Sequence, residues 1–241
     1  MDLRRALACT SLLAAAALFS GPAHSAFECG SFDASKKLAL VRIVSKEPKV
    51  NFVSGPSKKA PNCPSSEPAC MLKAFLTPGD EALIEASDAP FVCAAYVSAR
   101  GAETTGLLPR EAMQPVAPEA IAGARWDGEW RRAEAKIVLK SRGDVVKVSG
   151  SATYGAEDPE RVKRGAVNLG ELDGEAKPRG NMLALGYDPD RSADLPTPDA
   201  AKDSCAARLS LYGRYLVVED NLGCGGMNVS FSGVYVRGAG K

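Results

Sequence analysis

The chain has 241 residues, with 30 basic and 29 acidic side chains, a single histidine and seven cysteines. A net charge this close to zero offers no field for steering nucleic acid or an anionic membrane, and neither is expected as a partner. The one histidine, His24, lies in a segment with the features of a removable leader, which takes imidazole catalysis out of consideration.

That leader begins with basic Arg4 and Arg5, continues through an apolar run from Leu7 to Phe19, and exits at the small-residue site Ala23-His24-Ser25. Residues 1–25 therefore read as a signal peptide, and the chain is expected in the periplasm or outside the cell. The apolar run is shorter than the roughly 20 residues of a membrane span, so no insertion is expected after cleavage. Most of the apolar run follows Cys9 instead of preceding it, which argues against a lipid-modified cysteine, and Leu3 stands where a twin-arginine signal prefers a polar residue. Apart from Cys9 the cysteines form an even set, as in a disulfide-braced exported protein.

Short Val/Ile/Leu/Phe/Tyr runs alternate with Gly, Pro and Asn, and long stretches of helical period are nearly absent, so the fold class is all-β. In the first half, strands are expected at 38–44, 51–53, 71–76, 82–86 and 91–97, ending in Thr104-Thr105-Gly106-Leu107-Leu108-Pro109. Residues 54–67, rich in Pro, Ser and Lys, read as an exposed loop bracketed at its end by Cys63 and Cys70. Ala112–Ala124, with Pro115 and Pro118, reads as a linker, because proline interrupts ladders and stiffens the chain.

The stretches Pro78-Gly79-Asp80-Glu81, Phe91-Val92-Cys93-Ala94-Ala95-Tyr96 and Thr105-Gly106-Leu107-Leu108-Pro109-Arg110 resemble a bacterial SH3-like domain. In that family Gly-Asp opens one strand, a large residue before valine opens the next, and a Gly-Trp-Val segment leads into a short helical turn. Leu107 stands where the family usually has tryptophan. The resemblance implies a small barrel over residues 26–114 and recognition of cell-wall peptides or protein partners.

After a linker at 115–124, a second domain is expected over 125–241, opening at Trp126-Asp127-Gly128-Glu129-Trp130. Its strands are placed at 135–140, 145–154, 166–172, 181–187, 206–212, 215–219 and 229–236. In the last of these Val229, Phe231, Gly233 and Tyr235 share one face, and Asn228, Ser230 and Ser232 the other. Sequential strands of this number form an antiparallel meander, closed into a barrel or folded as a sandwich. The Trp-x-Gly-x-Trp opening and the Cys224-Gly225-Gly226-Met227-Asn228 segment resemble a C-terminal domain of uncharacterised exported proteobacterial proteins, some of them similar to periplasmic lysozyme inhibitors. The resemblance implies location more than chemistry.

The cysteines allow many pairings. A hairpin around Gly213 would bring Cys205 near Cys224; Cys63 with Cys70 would pin the long loop, and Cys29 with Cys93 would tie the N-terminal region to a core strand. Metal and redox roles lack both Cys-x-x-Cys spacing and histidine, so no metal or other cofactor is expected. A nucleophilic cysteine lacks its imidazole base, and neither Gly-x-Ser-x-Gly nor Ser-x-x-Lys occurs. Asp188–Asp199 has the oxygen spacing of a calcium loop but Ala193 at the glycine position, and Arg142-Gly143-Asp144 reads as a hairpin turn.

The candidate binding residues are Asp220, Asn221 and Asn228, in a glycine-rich loop beside Cys224, and Trp126 and Trp130, whose spacing puts them on one strand face. Tryptophans so placed fill a barrel bottom or stack on a ligand. The functional expectation is a non-enzymatic envelope protein that recognises cell-wall peptide or an envelope protein. A lysozyme-inhibitor-like role would send the carboxylate and amides of the 220–228 loop into a cationic cleft. The alternatives are an apolar-ligand carrier, which needs a hollow barrel in place of one filled by Leu209, Leu211, Phe231 and Tyr235, and a carboxylate-dependent wall hydrolase.

Overall fold

The computed structural model describes Cys29 and residues 37–99, 101–117, 125–186 and 204–238. The leader with His24, most of the expected linker and the calcium-like loop at 188–199 lie outside the described residues. The described chain is all-β apart from one short helix and one 3₁₀ turn, and its strands form two antiparallel sheets.

The first sheet contains β1 (Leu38–Ile43), β2 (Val50–Val53), β3 (Met71–Leu76), β4 (Glu81–Glu85), β5 (Phe91–Val97), β6 (Glu103–Pro109) and β7 (Met113–Pro115). Their order is β3-β2-β6-β5-β4-β1-β7, which leaves the sheet open with β3 and β7 at its edges. The segment read as the start of a linker is therefore partly sheet: a 3₁₀ turn at Arg110–Ala112 leads into β7, where Val41 pairs with Pro115. Proline is tolerated there because β7 is an edge strand with one side unpaired.

The centre of the first sheet is buried on both faces, which explains why β5 reads as a nearly continuous apolar run, whereas the edge strand β3 is largely exposed. Val41, Ile43, Phe52, Leu76 and Leu108 pack on one face. On the other, Val53 and Leu107 pack on Cys63, Cys70 and Cys93 at one end. At the opposite end Leu38, Leu40, Leu83 and Val97 meet the second sheet. Disulfides join Cys29 to Cys93 and Cys63 to Cys70, the pairings expected for the four cysteines of the first half.

The second sheet contains β8 (Gly128–Arg132), β9 (Ala135–Arg142), β10 (Val145–Tyr154), β11 (Asn168–Ala176), β12 (Met182–Leu185), β13 (Ala207–Tyr212), β14 (Tyr215–Asp220) and β15 (Gly233–Arg237). Its order is β11-β10-β9-β8-β15-β14-β13-β12, so the two edge strands are consecutive in the chain. Curling brings them together into a nearly closed barrel, where a Cβ on Gly174 of β11 would stand 3.1 Å from the Leu185 side chain of β12. Helix α1 (Pro159–Lys163) links β10 to β11; Asp158 caps it by accepting from the Glu160 and Arg161 amides, and proline holds its first turn.

Tryptophan, leucine and tyrosine fill the barrel. Leu209, Leu211, Phe231 and Tyr235 lie in one buried cluster with Trp126 and Trp130. The outside of β14 and β15 presents Tyr215, Val217, Val234 and Val236 to the first sheet. Across that contact the Tyr215 hydroxyl donates to the Glu81 carbonyl at 2.6 Å, and Arg214 donates to the Val97 carbonyl at 2.7 Å. Gly213, at φ +58°, makes the β13–β14 turn and the close approach together, since a Cβ there would stand 2.7 Å from Leu40.

Candidate functional site

One end of the barrel is finished by a loop in place of a strand. β12 stops at Leu185, leaving the first residues of β11 without a neighbour on that side, and the chain after Cys224 fills the gap. Gly170 and Gly225 form an antiparallel bridge; the Glu171 amide donates to the Cys224 carbonyl at 3.0 Å and the Gly226 amide to the Leu169 carbonyl at 3.0 Å. Two glycines face each other for a steric reason: a Cβ on Gly170 would stand 2.7 Å from the Cys224 carbonyl oxygen, and one on Gly225 2.7 Å from the Gly170 Cα. The Cys-Gly-Gly-x-Asn segment is thus the closure of the barrel.

The closure is fixed from three directions. The Cys205–Cys224 disulfide ties it to the start of β13. Asn221 sits on the same junction, its Oδ1 accepting from the Ala206 and Gly223 amides at 3.1 Å each and its Nδ2 donating to the Ser204 carbonyl at 2.7 Å. On β11, Asn168 Nδ2 donates to the Met227 carbonyl at 2.6 Å. Leu222 and Asn228 adopt positive φ of 59° and 65° within this frame.

Asp220, expected to present a carboxylate, is buried and faces inward. Its Oδ1 accepts from the Ser230 hydroxyl at 2.8 Å, the Ser232 hydroxyl at 2.5 Å and the Ser232 amide at 3.1 Å, and its Oδ2 from the Phe231 amide at 3.2 Å. Its own amide donates to Ser232 Oγ at 2.8 Å. The carboxylate therefore substitutes for a ladder over residues 230–232, which is why β15 begins at Gly233 and not at Val229. Val229, Phe231 and Tyr235 nonetheless pack inward, and Ser230 and Ser232 face Asp220.

No family model, curated protein or solved structure matches this chain. The residues and their geometry carry the functional argument.

Trp126 and Trp130 are fully buried in the core, and the Trp130 indole N–H donates to the Trp126 carbonyl at 3.2 Å. Arg237 lies 4.7 Å over the Trp130 ring and donates to the Arg125 and Asp127 carbonyls at 2.5 Å each. The tryptophans fill and tie off the barrel. They do not join Asp220, Asn221 and Asn228 in one surface, and of the five candidates only Asn228 is an exposed side chain.

What the loop does expose is apolar. Met227 is 79% accessible, Leu169 beside it 68% and Leu222 65%, the three highest values for large hydrophobic side chains among the described residues. No charged residue occurs from Asn221 to Val236. These three were not singled out from sequence. The available signal was Leu169, the apolar member of the outward set Leu169, Glu171, Asp173 and Glu175 on β11.

Proposed function

We propose that this is an exported, non-enzymatic binding protein of the bacterial envelope, and that it seats the Asn221–Val229 tip in an apolar cleft of a protein partner. The observation that carries this reading is the exposure of Leu222 and Met227 on one loop, with Leu169 on the strand β11 it pairs with, and the fixing of that loop's backbone by a disulfide and by side-chain amides. Exposed hydrophobics held on a rigid frame are the anchor chemistry of an interface, since little conformational entropy remains to be lost on docking. The tip offers no carboxylate, because Asp220 is occupied by its own donors, so the contact is apolar and not an ionic insertion into a cationic cleft.

The first sheet is read as an SH3-like module that holds the barrel in place. Its five strands β7-β1-β4-β5-β6 in that order, with a 3₁₀ turn between β6 and β7, support the reading, with the β2–β3 hairpin as an added arm. The leader reading of residues 1–25 and the three disulfides support export.

Affinity capture from solubilised envelope, run with the oxidised protein and with a Leu222→Asp, Met227→Asp variant, tests the proposal. A partner retained by the parent and lost with the variant is the expected result. Equal capture by both overturns it. Co-sedimentation with purified sacculi that is unchanged by the variant would assign the binding to wall polymer and to the first sheet.

A further inference from the structure

The outward face of β9, β10 and β11 carries a charge pattern that the barrel itself does not require. Ile137, Val148 and Leu172 point into the core, so residues one step along the strands point to solvent. On β11 these include Glu171, Asp173 and Glu175; on β9 they are Lys136, Val138, Lys140 and Arg142, with the apolar Val138 in the row of Asp173; on β10, between them, stand Lys147, Ser149, Ser151 and Thr153. The register aligns them in rows. Glu171 is opposite Ser151, which is opposite Lys136; Glu175 is opposite Lys147, which is opposite Lys140. Adjacent strands lie about 4.8 Å apart, so an acidic column and a basic column run side by side about 10 Å apart with a serine-lined trough between them. Arg142 reaches across to Glu175 at 3.8 Å.

The geometry points to a second copy of this chain as the occupant of this face. A two-fold axis parallel to β10, passing over Ser149 and Ser151, lays the acidic column of each copy on the basic column of the other. Glu171 then faces Lys136 of the second copy and Glu175 faces Lys140, each pair occurring twice by symmetry. An in-plane axis perpendicular to the strands would put acid on acid and base on base, so the pattern selects one packing and disfavours the other. The serines are small, which allows two convex barrels to touch along a line. Lys147, the one charged residue of β10, has Glu175 of its own copy beside it and a flexible stem that swings off the axis.

Rotation about an axis leaves its direction unchanged, so both closure loops, at the Tyr154 end of β10, point the same way. The dimer would present two tips side by side and raise the effective concentration of the second contact. That consequence rests on the partner-binding reading; the dimer does not, and its test contains no partner.

Sedimentation equilibrium of the oxidised protein is expected to find a dimer at low salt, with the association constant falling at least about tenfold at ~1 M salt, where screening is nearly complete. E171K/E175K and K136E/K140E are each expected to be monomeric, and an equimolar mixture of the two is expected to form a mixed dimer, because each supplies the columns the other has lost. A parent that stays monomeric at low salt, or a mixture of folded variants that stays monomeric, overturns the proposal. If either reversal unfolds, E171Q/E175Q removes the attraction without repulsion, and undiminished dimerisation of that variant overturns it equally.

Discussion

Asp220 shows how a charged residue in a glycine-rich loop serves architecture. Its carboxylate gathers two hydroxyls and two backbone amides, and removing it leaves buried donors without an acceptor. Asp220→Ala is therefore expected to cost about 3 kcal/mol in urea unfolding, with Asn at this position recovering part of the loss because its amide oxygen still accepts. An unchanged midpoint for the alanine variant would contradict this account. Gly170→Ala is expected to displace the closure without disturbing the β10–β11 ladder, so the Glu171 amide should lose hydrogen-exchange protection while amides further along β11 keep theirs. Neither role was legible in the sequence. Asp, Asn and Gly beside a cysteine have the same composition whether a loop binds a ligand or closes a barrel, and only the long-range pairing with Leu169 and Glu171 separates the two.

At the scale of elements, what could be read followed local periodicity, and what could not depended on distant contacts. β10 occupies the bounds its sequence predicts because Val146, Val148 and Ala152 alternate with outward polar residues. The inward pattern continues through Val229 and Phe231 and so predicts an earlier start for β15 than Gly233, although residues 230–232 are held by the Asp220 side chain. β7 has the local sequence of a linker, because Pro115 and the neighbouring alanines give no strand signal, and the edge of β1 supplies the pairing instead. Asp158-Pro159-Glu160 is the local cap and first-turn signal of α1, in a chain whose other signals are those of strands. The closure depends on the Cys205–Cys224 bond, whose loop of intermediate length corresponds to about 3 kcal/mol in the chain-entropy account. Replacing both cysteines by serine is expected to lower stability by that order and to loosen the tip, so limited proteolysis should cut first within 221–228. Cleavage elsewhere, with 221–228 intact, would mean that the Asn221 and Asn168 bonds hold the tip alone.

For the whole molecule, the decisive contact is the one between the two sheets. Tyr215 stands in it, fully buried, with its hydroxyl on the Glu81 carbonyl, and Tyr235 stands in the barrel core with its hydroxyl on the Phe231 carbonyl at 2.7 Å. Burial pushes both hydroxyls up to about 12, against the attraction of Arg214 for one and Arg132 for the other. A raised folded value means that the unfolded chain ionises first as pH rises. The stabilisation is therefore fully present below pH 10 and is lost on the way to 12, on the order of 2 kcal/mol for each tyrosine. Since one of the two lies between the sheets, alkaline unfolding is expected to take both sheets together, with tryptophan fluorescence from the barrel and proteolytic opening of the first sheet sharing one midpoint. Tyr215→Phe separates the contributions: it should cost about 1 kcal/mol at neutral pH through the lost hydrogen bond and flatten the loss of stability above pH 10. Two separated midpoints in the parent protein would mean that the sheets unfold independently and that Tyr215 only seals a surface between them.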